Sequence, residues 1–130
     1  MNIPFLCVAL AFLLLYLTKI PLAVAMGRSR GGYDNRHPRD QQAALEGWGR
    51  RALAAHQNAF EAFAPFAAAV LVAHAAGADP VWSARLALLF IAARIVYTCL
   101  YLANQASLRS TVWMIGTLCT AGLFYLAIFR

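Results

Sequence analysis

Charge is the scarcest property of this 130-residue chain: Asp, Glu, Lys and Arg together make up 12%, and only five of those residues are acidic. Soluble domains carry about 25%. Hydrophobic residues make up 62%, and the mean hydropathy is +0.63. A soluble fold this short has too little interior to hide so much apolar surface, and disorder requires the opposite composition. The shortage of acid leaves a net charge of +6. Its basic residues are few and clustered, which argues against a nucleic-acid partner. The three cysteines, Cys7, Cys99 and Cys119, are an odd number with no C-x-x-C spacing. That excludes a disulfide framework and a zinc site. No other metal-ligand spacing, no Gly-rich phosphate loop and no internal repeat occurs, so no metal is expected.

What remains is a succession of apolar stretches. The first, 3–26, carries one charge, Lys19. As a helix it spans about 36 Å, enough for a hydrocarbon core of about 30 Å. A cleaved leader is the rival reading, since Ala23-Val24-Ala25 resembles a cleavage site. The start, Met1-Asn2-Ile3, has no basic side chain and the apolar run is long, which favours a retained helix. Pro21 is expected to kink its last turn. Residues 27–40 are polar and rich in Gly, Pro, Asn and Asp, the composition of a loop. A second helix is expected over 41–76, amphipathic at first and apolar later, bent at Pro65. Asp79 and Pro80 suit the start of a third helix over 81–104. Residues 105–110 then form a loop, and a fourth helix covers 111–129. The fold class is all-α: an integral membrane four-helix bundle formed by a single domain.

Four spans place both termini on one side. Arg28, Arg30, Arg36, Arg39, Arg50 and Arg51 cluster around the first loop, and Arg109 lies in the third. Only Arg85 and Arg130 belong to the opposite side. The excess of basic residues marks the cytoplasmic face, so both termini are expected outside and the basic loops inside.

Ionisable groups at membrane depth usually face a bundle interior or a wet cavity. Glu61 and Arg94 are the two that stand out. On the second helix Arg51, Asn58 and Glu61 recur at helical spacing, and on the third so do Arg94, Tyr97, Tyr101 and Asn104. Arg109 and Ser110 follow at the mouth of the fourth. One reading is structural: Glu61 pairs with Arg94 and the tyrosines belong to an interfacial belt. The other is a cytoplasm-facing site for an anionic ligand, in which arginine grips carboxylates and Glu61 holds an ammonium. His56 is expected to face water or a neighbouring helix, His37 has no partner pattern, and His74 suits an interface. Trp48 and Trp82 suit interfacial anchors.

The stretch Ala55-His56-Gln57-Asn58-Ala59-Phe60-Glu61 with Pro65-Phe66, then Ala93-Arg94 through Tyr97 to Tyr101-Leu102, then Arg109-Ser110, resembles the MAPEG family (membrane-associated proteins in eicosanoid and glutathione metabolism) over nearly the whole chain. The length and long loop resemble its short bacterial members, which implies a bacterial inner membrane. The resemblance implies a homotrimer that binds glutathione as co-substrate between subunits. It further implies transfer of the thiol to lipophilic electrophiles drawn from the membrane lipid, or reduction of lipid hydroperoxides. Asn58, Glu61, Tyr97, Tyr101, Arg109 and Ser110 match glutathione-contacting positions, and Arg94 and Arg51 extend the set. Arg109 matches the arginine held to stabilise the thiolate. Gln57 and Ala54 stand where the prostaglandin synthase branch has arginines, Ala64 replaces a tyrosine, and Ala106 takes a basic position. An alternative therefore stays open: a non-catalytic membrane protein of this fold that binds lipid or another thiol. A coupled transporter resting on Glu61 and Arg94 is disfavoured by four short spans without broken-helix repeats.

Overall fold

The computed structural model describes residues 1–129; Arg130, expected on the same side as Arg85, lies outside the described residues. Six helices and no strand occur among the described residues: α1 (Ile3–Leu17), α2 (Lys19–Gly27), α3 (Pro38–Ala43), α4 (Gly47–Ala75), α5 (Pro80–Leu102) and α6 (Ala106–Ile128). The α1–α2 pair, α4, α5 and α6 are each long and apolar enough to cross a membrane.

The first span is not the single helix expected over 3–26. Pro21 has no N–H, and its ring crowds the carbonyl four residues earlier, that of Leu17. The helix therefore ends at Leu17 and restarts at Lys19, a break upstream of the expected kink in the last turn. Thr18 stands at the break. Its hydroxyl lies 2.9 Å from the Leu15 carbonyl and 2.9 Å from His56 Nδ1. His56 thus ties α4 to the break. Pro65, by contrast, leaves α4 continuous. Its missing N–H deprives the Glu61 carbonyl of its helical donor.

The segment expected to start at residue 41 also divides. Pro38 opens the short α3, and α4 begins only at Gly47, whose φ of 53° is a left-handed conformation open to glycine. Two residues on, Gly49 lets α4 close on α2: a Cβ there would meet the Ala25 Cβ at 3.1 Å. The polar segment before α3 is folded rather than loose. Gln41 donates to the Met26 and Gly32 carbonyls and accepts from the Asp34 amide. Asp34 in turn accepts from the Arg36 and His37 amides, each at 3.0 Å. Its carboxyl is held below the ordinary carboxylate range chiefly by the His37 amide, against an opposing desolvation, with the Arg36 amide and the His37 ring adding to the effect. A lowered folded value means stabilisation that is complete above the unfolded value of about 3.9 and is lost as pH falls through the folded one. The protection of the Arg36 and His37 amides against hydrogen exchange, relative to their intrinsic rates, is accordingly expected to hold down to about pH 4 and to fall below it. Unchanged protection down to about pH 2 would contradict this.

The loop expected over 105–110 is shorter. Asn104 adopts φ 59°, the Gln105 amide returns to the Leu100 carbonyl at 2.9 Å, and the Asn104 amide returns to the Tyr101 carbonyl at 3.1 Å. This left-handed cap closes α5, and the run 106–115, free of Gly and Pro, resumes helix at once. Arg109 closes the first turn of α6 and Ser110 opens the second, so neither lies in a loop. At the other end of α5, Asp79 accepts from the Trp82 amide at 2.8 Å and Pro80 fills the first turn. Arg85 lies over the Trp82 ring at 5.0 Å.

Two clusters form the interior. The larger, containing Cys7, Phe66, Val70, Phe90 and Leu123, binds α1, α4, α5 and α6 together. Phe66 and Phe90 stack face to face there, with centroids 3.8 Å apart. The smaller, Leu22, Ala25, Met26, Leu45 and Ala52, locks α2 against α4. The first span supplies buried side chains to both. Most outward apolar side chains, Phe12, Leu71, Leu88 and Leu118 among them, are exposed, the pattern of helices solvated by lipid. The chain is an integral, multi-pass membrane protein.

Candidate functional site

Glu61 lies fourteen residues from the Ala75 end of α4, and Arg94 lies fourteen residues from the Pro80 end of α5. A short turn joins those two ends. At 1.5 Å per residue the two groups sit at equal depth, about 21 Å along their helices. Asn58, one turn before Glu61, completes the set. All three line one cleft of about 390 Å³ with Pro65, Phe90 and a wall from α6: Trp113, Gly116, Thr117, Thr120 and Phe124.

The polar groups of this cleft are incompletely bonded. Asn58 Nδ2 donates to Glu61 Oε2 at 3.2 Å. The Glu61–Arg94 ion pair of the structural reading is not formed: among the described residues the only ion pair is His37–Asp34, at 3.7 Å. Arg94 is 7% exposed, and its guanidinium lies 4.3 Å from the centre of the Tyr97 ring. Among the described residues three buried side-chain polar atoms lack a hydrogen-bond partner: Arg51 Nε, Asn58 Oδ1 and Arg94 Nη2. All three belong to residues nominated from the sequence, and two of them line the cleft. An unsatisfied buried group costs about 1–3 kcal/mol, so such groups call for an explanation in function.

From Arg94 a ladder runs towards the loop end. Tyr97 is buried and meets the Tyr101 ring edge-on, with centroids 5.7 Å apart. The Arg109 guanidinium lies 4.3 Å from the Tyr101 centroid. Stacking holds a guanidinium by its faces and leaves its in-plane N–H groups free for an anion. The structure thus joins Arg94, Tyr97, Tyr101 and Arg109 in one row, with Asn58 and Glu61 beside its inner end. It does not bring Arg51 or Ser110 to the cleft, and of the row only Arg94 lines it, with Tyr97, Tyr101 and Arg109 leading away towards the loop end. Arg51 is half-buried two turns before Asn58, and Ser110 is exposed at the start of the second turn of α6. No group of His, Cys, Asp and Glu able to hold a metal occurs among the described residues.

The α6 wall is the part that sequence reasoning missed. Trp113, Gly116, Thr117, Thr120 and Phe124 fall at helical spacing, so the stripe was there to be read. Its residues are neutral, however, and resemble any packed membrane face. The Thr117 and Thr120 hydroxyls donate to carbonyls one turn back, at 3.0 and 3.3 Å. That leaves their oxygens as acceptors only.

The model of the MAPEG family matches residues 3–129. This chain belongs to the MAPEG family. Members of that family are membrane proteins of glutathione-related transferase and peroxidase type, and the four spans fit that architecture. No curated protein matches the chain. The unpaired atoms in the cleft of this MAPEG subunit are one guanidinium donor, of Arg94, and one amide acceptor, of Asn58.

Proposed function

We propose that this MAPEG protein is a glutathione-dependent transferase or peroxidase acting on lipophilic electrophiles at the cytoplasmic side of its membrane. The observation that carries the reading is the coincidence of the unpaired buried atoms of Asn58 and Arg94 in one cleft with Glu61. Glutathione offers two carboxylates, an ammonium and a thiol, which becomes the nucleophile as thiolate. Arg94 Nη2, a donor, suits an acid, and Asn58 Oδ1, an acceptor, joins Glu61 in suiting the ammonium. Arg109, supported by Tyr101, favours the thiolate, and Tyr97 buttresses Arg94. Arg51 and Ser110 are outer contacts. The orientation follows from the basic loop and Arg109 lying at one end.

The protein works as a homotrimer on this reading. Glu61 is exposed at membrane depth, on a face of α4 that also exposes Gln57, Ala64, Pro65 and Ala68. A carboxylate is not tolerated against lipid tails, so a neighbouring subunit covers this face and completes the cleft. An apolar co-substrate then arrives from the bilayer, and bringing it beside a water-soluble thiol is catalysis by proximity.

The test is a glutathione titration of the purified protein, followed by the ultraviolet absorbance of the thiolate and by calorimetry. Wild type is expected to show both signals, and Arg109→Ala to keep the heat while losing the absorbance. Absence of both signals in the wild type defeats the proposal and leaves a non-catalytic member of the family.

A further inference from the structure

A second cleft, of about 400 Å³, opens between α3 and α4 at the loop end of the molecule. Arg39 comes to it from α3 and Arg50 from the first turn of α4, with Gln57 one turn beyond Leu53 and Ala54. Neither arginine has an acidic partner: Asp34, the one carboxylate in an ion pair among the described residues, is taken by His37. The α3 wall is fixed. Gln42, 6% exposed, directs its amide to Met26 Sδ at 3.8 Å, which docks α3 on α2. Two free guanidinium groups therefore share one concave surface with a neutral amide and an apolar flank.

Depth decides what such a surface meets. A hydrocarbon core of about 30 Å takes about twenty helical residues. Counted from Ala75, the far end of α4, that core ends near His56. Arg50 lies about 9 Å beyond it, and its side chain reaches back into the headgroup layer. Leu53 and Ala54 lie one turn nearer the acyl chains. The order along α4 is cation, then apolar flank, which matches a phospholipid's phosphate followed by its chains. Basic recesses between helices on the positively charged side are suited to anionic headgroups.

We propose that the α3–α4 cleft is a binding site for the headgroup of an anionic phospholipid, with its phosphate held between Arg39 and Arg50. Neither arginine lines the cleft of Asn58, Glu61 and Arg94, so the two sites are tested separately; Gln57, at the inner rim, also lies on the α4 face assigned above to a neighbouring subunit, which leaves Arg39 and Arg50 as the phosphate's partners.

The experiment uses full-length protein, delipidated in a mild non-ionic detergent and titrated with phosphatidylglycerol or phosphatidylethanolamine while its melting temperature is followed. Phosphatidylglycerol is expected to stabilise the wild type, and phosphatidylethanolamine is not. Arg39→Gln with Arg50→Gln is expected to weaken the response to phosphatidylglycerol about 30-fold, and Arg39→Lys with Arg50→Lys to restore most of it. Arg28→Gln with Arg36→Gln, the same charge change elsewhere on the loop, is expected to weaken it less than about 3-fold. Equal losses in the two glutamine pairs overturn the site in favour of a diffuse field. Equal stabilisation by inorganic phosphate overturns the lipid as occupant. Competition by glutathione assigns the cleft to the thiol site and overturns this inference while leaving the proposed function standing.

Discussion

Arg94→Met is expected to weaken glutathione binding by about 100-fold or more, while the ligand-free protein melts at the same temperature or higher. The two halves rest on one geometry. Arg94 is 7% exposed, stacks on Tyr97 at 4.3 Å, and holds Nη2 without a partner. Removing a buried cation from a ligand carboxylate costs about 2–5 kcal/mol, and 2.7 kcal/mol is a factor of 100. In the ligand-free protein the same cation is a liability, because it is desolvated and incompletely bonded. Methionine fills its length and removes that burden. Were Arg94 chiefly a structural partner of Glu61, the variant would melt lower and bind as before. Calorimetry with glutathione and a melting curve on the same preparation separate the two readings.

Phe66→Ala is expected to destabilise the protein by about 3 kcal/mol, the low end of the range for emptying an aromatic core position. Phe66 is 0% exposed and stacks on Phe90 with an interplanar angle of 5°. In a bilayer the loss is one of dispersion contact, since lipid tails solvate helices as well as leucine does. That argues for the low end. Phe90 also lines the candidate cleft, so its loosening is expected to weaken glutathione binding as well. Unfolding measured in lipid, with Phe66→Leu recovering part of the loss, checks the claim, and a change under about 1 kcal/mol contradicts it.

The spans were legible because long apolar runs and basic clusters are one-dimensional signals. The residues of α4 and α5 that meet in the cleft were legible for a similar reason: charge at membrane depth is rare enough to mark itself. What failed was local and geometric. A proline acts four residues upstream of itself, so Pro21 gave no hint in its own turn of the break at Thr18. The left-handed cap at Asn104 shortened a loop whose polar composition suggested six residues. His56 looked isolated because its partner, Thr18, lies 38 positions away in sequence. Arg51 and Ser110 align with the right helical faces, yet their distance along the helix axis keeps them from the cleft. Periodicity fixes direction around a helix and says nothing of which neighbour fills the gap.

The brevity of the α5–α6 connection has a consequence for traffic. With only Ala103 to Gln105 between them, these two rods are pinned at the loop end and have no freedom to part there. α4 and α6 carry no such tether, and both contribute walls to the cleft. On the proposed function, an apolar co-substrate arriving laterally through the leaflet would enter along that untethered seam, beside Trp113.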